Sequence, residues 1–489
     1  MDCTQITIAF IDDGIVKSYF PDTSIKSYIV RDNKVEIFES YNSSIYSHAT
    51  TCTAIFLQYV NNPNIKILDI KILDNHKSGN IDDLVTALYW VCEQNVKVIN
   101  LSLGTIYYKE SEKLQRCVNL LTIKGIIIIA AQNNNLLFTY PASFSNVIGV
   151  NANNDGCELV ANCSIEYDGI DYSAKWAHSL SLYGKVFVTS RSNSFAAPFV
   201  TALAVNLCLQ KDISDVFSLK RELNKLYNLN VYSSKTNNFD WCVNGFIVYF
   251  EKIKLFKEKL NFFVSKEEDF NKNGDLSRLI EQINNEDNLY DTLILIYKDI
   301  KEIYPLISRM DELLCTRLVM VNLDKISLDN FQMRLRKVSC IWFQQNTAQR
   351  EIQCFNEENI EIPVVEVYSC DINKLFNLLL NTRKEMLNDG YNCRCFVNNC
   401  SGILYDFSII DTNFNKYTLC NIIQKRCIDI ALIGIVVPYE MGLHDIEPDL
   451  KCFFKGEQKE DASTDKLLDY LYLNDNQESI YSNLKKVFC

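Results

Sequence analysis

Glycine is scarce in this chain, at 15 of 489 residues, and histidine scarcer still, at four. The glycine deficit beside abundant Asn, Ile and Tyr is a base-composition signature more than a chemical one, but four histidines make any search for a catalytic imidazole short. Basic charge is also lacking. Against 61 acidic side chains stand 49 basic ones, a formal net charge of -12. The basic face of a duplex-binding protein is therefore not expected, and nucleic acid is set aside as a partner. No uncharged apolar stretch reaches the ~20 residues of a membrane-spanning helix. The opening residues Met1-Asp2-Cys3-Thr4 carry neither a basic n-region nor a small-residue cleavage site. Nineteen scattered cysteines, an odd number, then read as reduced thiols rather than a disulfide framework. With 48% hydrophobic and 22% charged residues, a globular, soluble, cytoplasmic protein of several domains is expected, with no membrane partner.

What is present is alternation. Apolar runs at Ile6–Ile11, Ile65–Leu73, Val96–Leu101, Gly125–Ala131 and Val147–Val150 alternate with helical spacing at Ile81–Gln94 and Glu110–Leu121. Continuous Ile/Val runs between helices predict a parallel sheet covered on both faces, hence an α/β fold. A second alternation starts at Thr292, with strands at Thr292–Tyr297, Leu318–Leu323, Ser339–Phe343, Pro363–Val367 and Ile428–Val436. Its long helix, Asp371–Asn388, is closed by Gly390. Polar stretches suggest four segments: a first α/β domain over 1–235, a connecting helical linker over 236–285 with an amphipathic helix at Phe246–Phe263, a smaller second α/β domain over 286–455, and a charged helical tail over 456–489.

Three segments of the first domain carry the ingredients of hydrolytic chemistry. Ile11-Asp12-Asp13-Gly14 puts carboxylates at the C-terminal end of the first strand, the edge where ligands gather in open α/β sheets. Ser47-His48-Ala49-Thr50-Thr51-Cys52 opens a helix with small residues around a histidine. Ser192-Asn193-Ser194 turns from a loop into an apolar helix, leaving the Ser194 hydroxyl exposed and its N–H free for an oxyanion. Ala130-Ala131-Gln132-Asn133 ends another strand with a side-chain amide. Strand alternation sends Asp12 and Asp13 to opposite faces, so only one can reach His48. Asp12 is preferred, with Asp13 as the alternative.

In order along the chain, these segments resemble the signatures of the subtilisin-like serine peptidases, the subtilases. Ile11–Gly14 corresponds to I-D-[TS]-G, His48–Ala54 resembles H-G-T-H-V-A-G, and Ile99–Gly104 is close to I-N-x-S-L-G. Ala130–Asn133 resembles A-A-G-N, Tyr140–Ala142 matches Y-P-A, and Ser192–Pro198 resembles G-T-S-M-A-A-P. The resemblance covers about 1–210. It implies a three-layer fold with a parallel sheet and a catalytic triad in which Ser194 attacks a peptide carbonyl, His48 is the base and Asp12 orients it. It further implies that Asn133 binds the oxyanion and that Ser102, Leu103 and Gly104 pair with an extended substrate; no cofactor or metal is expected.

The departures are specific. The family's first glycine after the base is Ala49 and its second histidine Thr51. Gln132 and Ser192 also stand where the family has glycine. If either of the last two positions needs φ > 0, a side chain there costs about 1–2 kcal/mol. The helix after His48 runs on without the calcium loop that subtilases commonly insert there, and the inhibitory N-terminal prodomain is not expected, since the first strand begins near residue 6. These features favour an intracellular processing peptidase over a secreted degradative one.

Other candidates are set aside. Cys52, one helical turn after His48, reads as a small buried thiol. Cys393, Cys395 and Cys400 lack zinc-like spacing and read as a strand with thiols on one face. His76 and His178 are expected to be solvated, and His444 to lie in a loop. Lys374 follows a strand without the glycines of a phosphate loop, so ATP is not expected. The second domain is similar in strand layout to C-terminal regions of clostridial peptide-maturation-system proteins. That implies a peptide-recognition module, a precursor peptide as substrate, and peptide-modifying enzymes as possible partners. The rival expectation is a subtilase scaffold that escorts a peptide without cleaving it.

Overall fold

A computed structural model of the chain describes residues 5–38, 46–60, 62, 64–74, 78–154, 156–162, 168–229, 238–270, 274–285, 290–323, 339–343, 360–410, 414–437, 445–454 and 469–488. His76 and His444 lie outside them. The chain divides into two compact units, Met1–Trp241 and Cys242–Cys489.

In the first unit, β1 (Ile6–Asp12), β2 (Ser24–Arg31), β3 (Lys34–Ile37), β4 (Ile65–Lys71), β5 (Val98–Leu101), β6 (Ile127–Ala131), β7 (Ile148–Ala152), β8 (Leu159–Ala161) and β9 (Tyr172–Ala174) form one sheet. The strand order is β3-β2-β4-β1-β5-β6-β7-β9-β8, parallel except where β3 and β8 add antiparallel edges; β10 (Ser179–Leu182) and β11 (Lys185–Val188) pair separately as an antiparallel two-stranded sheet. β1 lies between β4 and β5 and is covered on both faces, which is why its sequence is a nearly unbroken apolar run. Ala9 and Ile11 face a core built with Leu84, Leu88, Leu114 and Val118 from α2 (Ile81–Cys92) and α3 (Ser111–Ile123). Phe10 points the other way and packs edge-on against Phe56 of α1 (His48–Tyr59), ring centroids 5.5 Å apart.

On that second face α1 packs beside α4 (Asn193–Gln210). α1 is rich in Thr and Ala and α4 in Ala and Val, and small side chains let two helices and a sheet approach closely. His178, expected to be solvated, is instead buried between them. Its Nε2 lies 3.1 Å from the Phe195 carbonyl of α4, and its Nδ1 lies 3.0 Å from the Tyr59 hydroxyl at the end of α1. A neutral ring satisfies both contacts, donating from Nε2 and accepting at Nδ1. Ala177 and Ser179 on either side of His178 gave no sign of this; tertiary packing buries it.

In the second unit, β12 (Asn244–Tyr249), β13 (Phe263–Asp269), β14 (Thr292–Tyr297), β15 (Arg317–Asn322) and β16 (Cys340–Phe343) make an all-parallel sheet. Its order, β13-β12-β14-β15-β16, is the 2-1-3-4-5 arrangement of flavodoxin-like doubly wound sheets. The helix expected over Phe246–Phe263 is not formed. Its apolar start is the buried strand β12, its end opens the charged edge strand β13, and only the short turn Lys257–Lys259 between them is helical. A short strand buried on both faces has the same apolar density as one helical face, so periodicity alone misassigns it.

A second sheet follows, from β17 (Val364–Ser369), β18 (Cys393–Val397), β19 (Ser408–Ile409), β20 (Ile430–Val436), β21 (Leu450–Phe454) and β22 (Asp469–Leu473), ordered β19-β18-β20-β17-β21-β22. The helix Ile372–Asn388 is capped by the Asp371 carboxylate, and Gly390 follows it at φ +95°. Cys393 and Cys395 are buried on one face of β18. Among the described residues, no helix is long and apolar enough to cross a membrane.

Burial pushes the His178 imidazole down to about 4 from its ordinary 6.5. Between those values the unfolded chain binds a proton that the folded chain refuses, so the His178 contribution to stability falls as pH drops through that window. His178→Gln should lower the melting temperature at neutral pH, with the gap to wild type narrowing on acidification. A gap that stays constant with pH would contradict this account.

Candidate active site

The register of the parallel strands brings the site together. Ile11 of β1 is level with Leu101 of β5, and Leu101 with Ala130 of β6. Asp12, Ser102 and the segment Gln132–Asn133 therefore emerge side by side at one sheet edge. Gly14, at φ +96°, turns the chain away after Asp13. The N-termini of α1 and α4 rise at the same edge, and a cleft of about 780 Å³ opens between them. All seven residues singled out from the sequence line it: Asp12, His48, Ser102, Leu103, Gly104, Asn133 and Ser194.

Asp12 is buried, 2% exposed, and its Oδ2 lies 2.8 Å from His48 Nδ1. Its other oxygen accepts the Asp13 N–H at 2.8 Å. Burial by itself would lower the His48 pKa by disfavouring the imidazolium. The Asp12 carboxylate, with a smaller contribution from Cys52, outweighs it and holds His48 well above the ordinary value. Phe195 stacks on the imidazole with centroids 5.4 Å apart. Asp13 faces away from the ring, as strand alternation requires, and binds the backbone of α1 instead.

Pro198 shapes the opposite wall. It sits one turn into α4 and has no N–H to give the carbonyl four residues back, that of Ser194. That carbonyl accepts from the Ser102 hydroxyl at 3.1 Å and from the Cys52 thiol at 3.5 Å. The first turn of α4 is thereby docked onto both β5 and α1, and Cys52 is the buried thiol expected of it. The Ser194 hydroxyl itself donates to the Ser102 carbonyl at 3.3 Å. Having one proton, it must rotate to give it to His48.

The glycine departures carry no backbone strain. Ser192 is extended, at φ −158°, and caps α4. Gln132 is not among the residues with left-handed backbone, and its N–H continues the ladder to Val150. Its buried amide donates to the Leu137 carbonyl and accepts from Asn151. Asn193, also buried, donates to the carbonyls of Gln132 and Asn133 and accepts the Ala152 N–H at 2.8 Å. Asn134 accepts the Asn193 N–H. Polar side chains thus fasten the Asn133 loop to the start of α4. This mesh was not anticipated from sequence, although two departures at loops facing each other were its signal. The Asn135 N–H holds Asn133 Oδ1 at 2.7 Å, which leaves the NH₂ end of that amide for the cleft.

The segment after β5 is held on one side by the Thr105–Tyr140 bridge, with both backbone bonds at 2.8 Å. A Cβ on Gly104 would come within 2.6 Å of the Tyr140 carbonyl, so the close approach requires glycine. Among the described residues, the His, Cys and carboxylate atoms close enough to share a metal ion are those of Asp12, His48 and Cys52, within 4.8 Å of one another. That set includes the Asp12–His48 pair itself, and an ion there would break its hydrogen bond.

The subtilase family model matches residues 4–223. A thermophilic serine proteinase of Bacillus sp. (strain AK1) is 31% identical over 217 residues, 42% of this chain and 52% of that protein, so the chain spans about half its length. Thermitase of Thermoactinomyces vulgaris is 30% identical over 217 residues, 42% of this chain and 75% of thermitase. Among solved structures, S41 psychrophilic protease aligns over 45% of this chain and 82% of its own, with a TM-score of 0.39 and 22% identity. The chain belongs to the subtilase family.

Proposed function

We propose that the protein is a serine endopeptidase that cuts a dedicated, ribosomally made peptide precursor in the cytoplasm, for instance by removing a leader. The observation that carries the reading is the 2.8 Å Asp12–His48 contact in a cleft that also holds Ser194 and Asn133. In this reading Ser194 Oγ attacks the scissile carbonyl, and His48 takes its proton and returns it to the leaving amine. Asp12 holds the tautomer and stabilises the imidazolium. The Asn133 amide and the Ser194 N–H receive the oxyanion. An extended peptide pairing along Ser102–Gly104 would compete with the Ser194 hydroxyl for the Ser102 carbonyl and release it toward His48. No metal or cofactor enters this chemistry.

The dedicated role is motivated by the unit that follows residue 241, whose two parallel sheets lie outside the segment matched by the subtilase family. We assign it to peptide recognition, as its similarity in strand layout to maturation-system proteins suggests, with peptide-modifying enzymes as possible partners. The division read from the polar stretches, 1–235, 236–285, 286–455 and 456–489, belongs to the same proposal only at its first boundary: β12 and β13 share a sheet with β14, so 236–285 is not a helical linker, and β22 pairs with β21, so 456–489 is not a helical tail alone. The escort reading draws its motive from Gln132 and Ser192, and the ordinary backbone at both weakens that motive.

A fluorophosphonate probe should label Ser194, and Ser194→Ala should abolish both labelling and a single discrete cut in the precursor. Correctly folded protein that stays unlabelled would restore the escort, and indiscriminate casein digestion would count against a dedicated substrate. A second expectation concerns pH. The base works only when neutral and His48 is held above 6.5. The acidic limb of kcat/KM should therefore fall above pH 6.5 and move down in Asp12→Asn; a limb below that value in the wild type would contradict the electrostatics described.

A further inference from the structure

Two adjacent carboxylates end β1, and the proposed chemistry uses one. The other makes a set of contacts that all converge on the residue proposed as base. Asp13 Oδ2 accepts the His48 N–H at 2.9 Å and Asp13 Oδ1 accepts the Ala49 N–H at 2.8 Å, while the Ser47 hydroxyl, 3.2 Å from Oδ1, lies closer to the Gly14 carbonyl at 2.5 Å. The remaining donors of that helical turn are satisfied locally. The Thr50 N–H binds the Ser47 hydroxyl oxygen at 3.0 Å, and the Thr51 N–H binds the Ser47 carbonyl. Ser47 therefore fills the ordinary N-cap place, while Asp13, from another element 35 residues away, takes the first two N–H groups that a helix leaves open. Its negative charge also lies at the positive end of the helix.

We propose that Asp13 is a positioning residue for His48: it fixes the first turn of α1 against the end of β1 and so sets the distance between the imidazole and Asp12. The inference rests on the peptidase reading for its effect on turnover, but not for its effect on the hydrogen bond. Because the strand is pleated, consecutive residues leave it in opposite directions. Asp12 reaches the ring of His48, and Asp13 reaches the main chain of the same residue. One dipeptide thus holds one histidine at both ends, and the backbone N–H of Asp13, donated to Asp12, ties the two carboxylates together. Without Asp13, two backbone N–H groups lose an acceptor, and the turn carrying His48 loses two of its ties to the end of β1, while the Ser47–Gly14 and Thr50–Val16 bonds remain. A misplacement of about 1 Å at a reacting group can cost about 10²-fold in rate.

The test compares Asp13→Ala and Asp13→Asn in the full chain. Asn keeps the size and one acceptor oxygen, so it remains informative if Ala fails to fold. In Asp13→Ala, kcat on a peptide substrate should drop about 10²-fold, with KM changed far less, and Asn should restore part of the loss. Independently of turnover, the low-field proton resonance of the His48 Nδ1–H···Asp12 hydrogen bond should weaken or shift upfield in both variants. A melting temperature that falls while kcat and that resonance stay at wild-type values would overturn the proposal, because the cap would then be structural only. If the wild type shows the resonance but neither cleaves nor labels, the peptidase reading fails. Asp13 is then judged on the resonance alone.

Discussion

The contact between Asp12 and His48 is short because two unrelated pieces of chain are made to meet. Asp12 ends a strand buried on both faces, and His48 begins a helix 36 residues later. Neither residue can adjust much: Asp12 is fixed by the ladder to β4 and β5, and the helix by its packing over Phe10. A charged pair with so little water around it is strong, and the imidazole is held above its ordinary pKa in spite of burial. Everything else at this edge of the sheet places partners around that pair. α4 brings Ser194 on a turn docked to β5 and α1, and the loop after β6 brings Asn133 with its amide already turned.

The substitution of polar residues for family glycines shows how such an edge tolerates change. Glycine permits close approach and unusual backbone. Here Gln132 and Ser192 occupy ordinary backbone, and the neighbouring Asn134, Asn151 and Asn193 fill the space with hydrogen bonds. The Gln132 and Asn193 amides are satisfied at both ends, and a buried amide so satisfied helps hold a loop in one place.

Much of the first unit was legible in the sequence because its signals are local. Unbroken Ile/Val runs marked the parallel strands, and short motifs marked the cleft; all seven residues chosen from them line it. What was not legible depends on distant neighbours. His178 sits between Ala177 and Ser179 in sequence but between two helices in space. The Phe246–Phe263 run looked helical because a strand buried on both faces has no alternation to read. The role of Asp13 was hidden for a third reason: the acceptors of a helix N-terminus are usually sought just before the helix, and this one lies on another strand.

The imino acid at position 198 has a reach beyond its own turn. With no donor there, the helix cannot claim the carbonyl of the nucleophile candidate, and the vacancy is filled by a hydroxyl from the sheet and a thiol from the neighbouring helix. The turn that carries Ser194 is consequently governed by its surroundings instead of by the rod it belongs to. A disturbance of β5 or α1 reaches the serine through that oxygen and, from the β5 side, also through the bond its hydroxyl gives the Ser102 carbonyl.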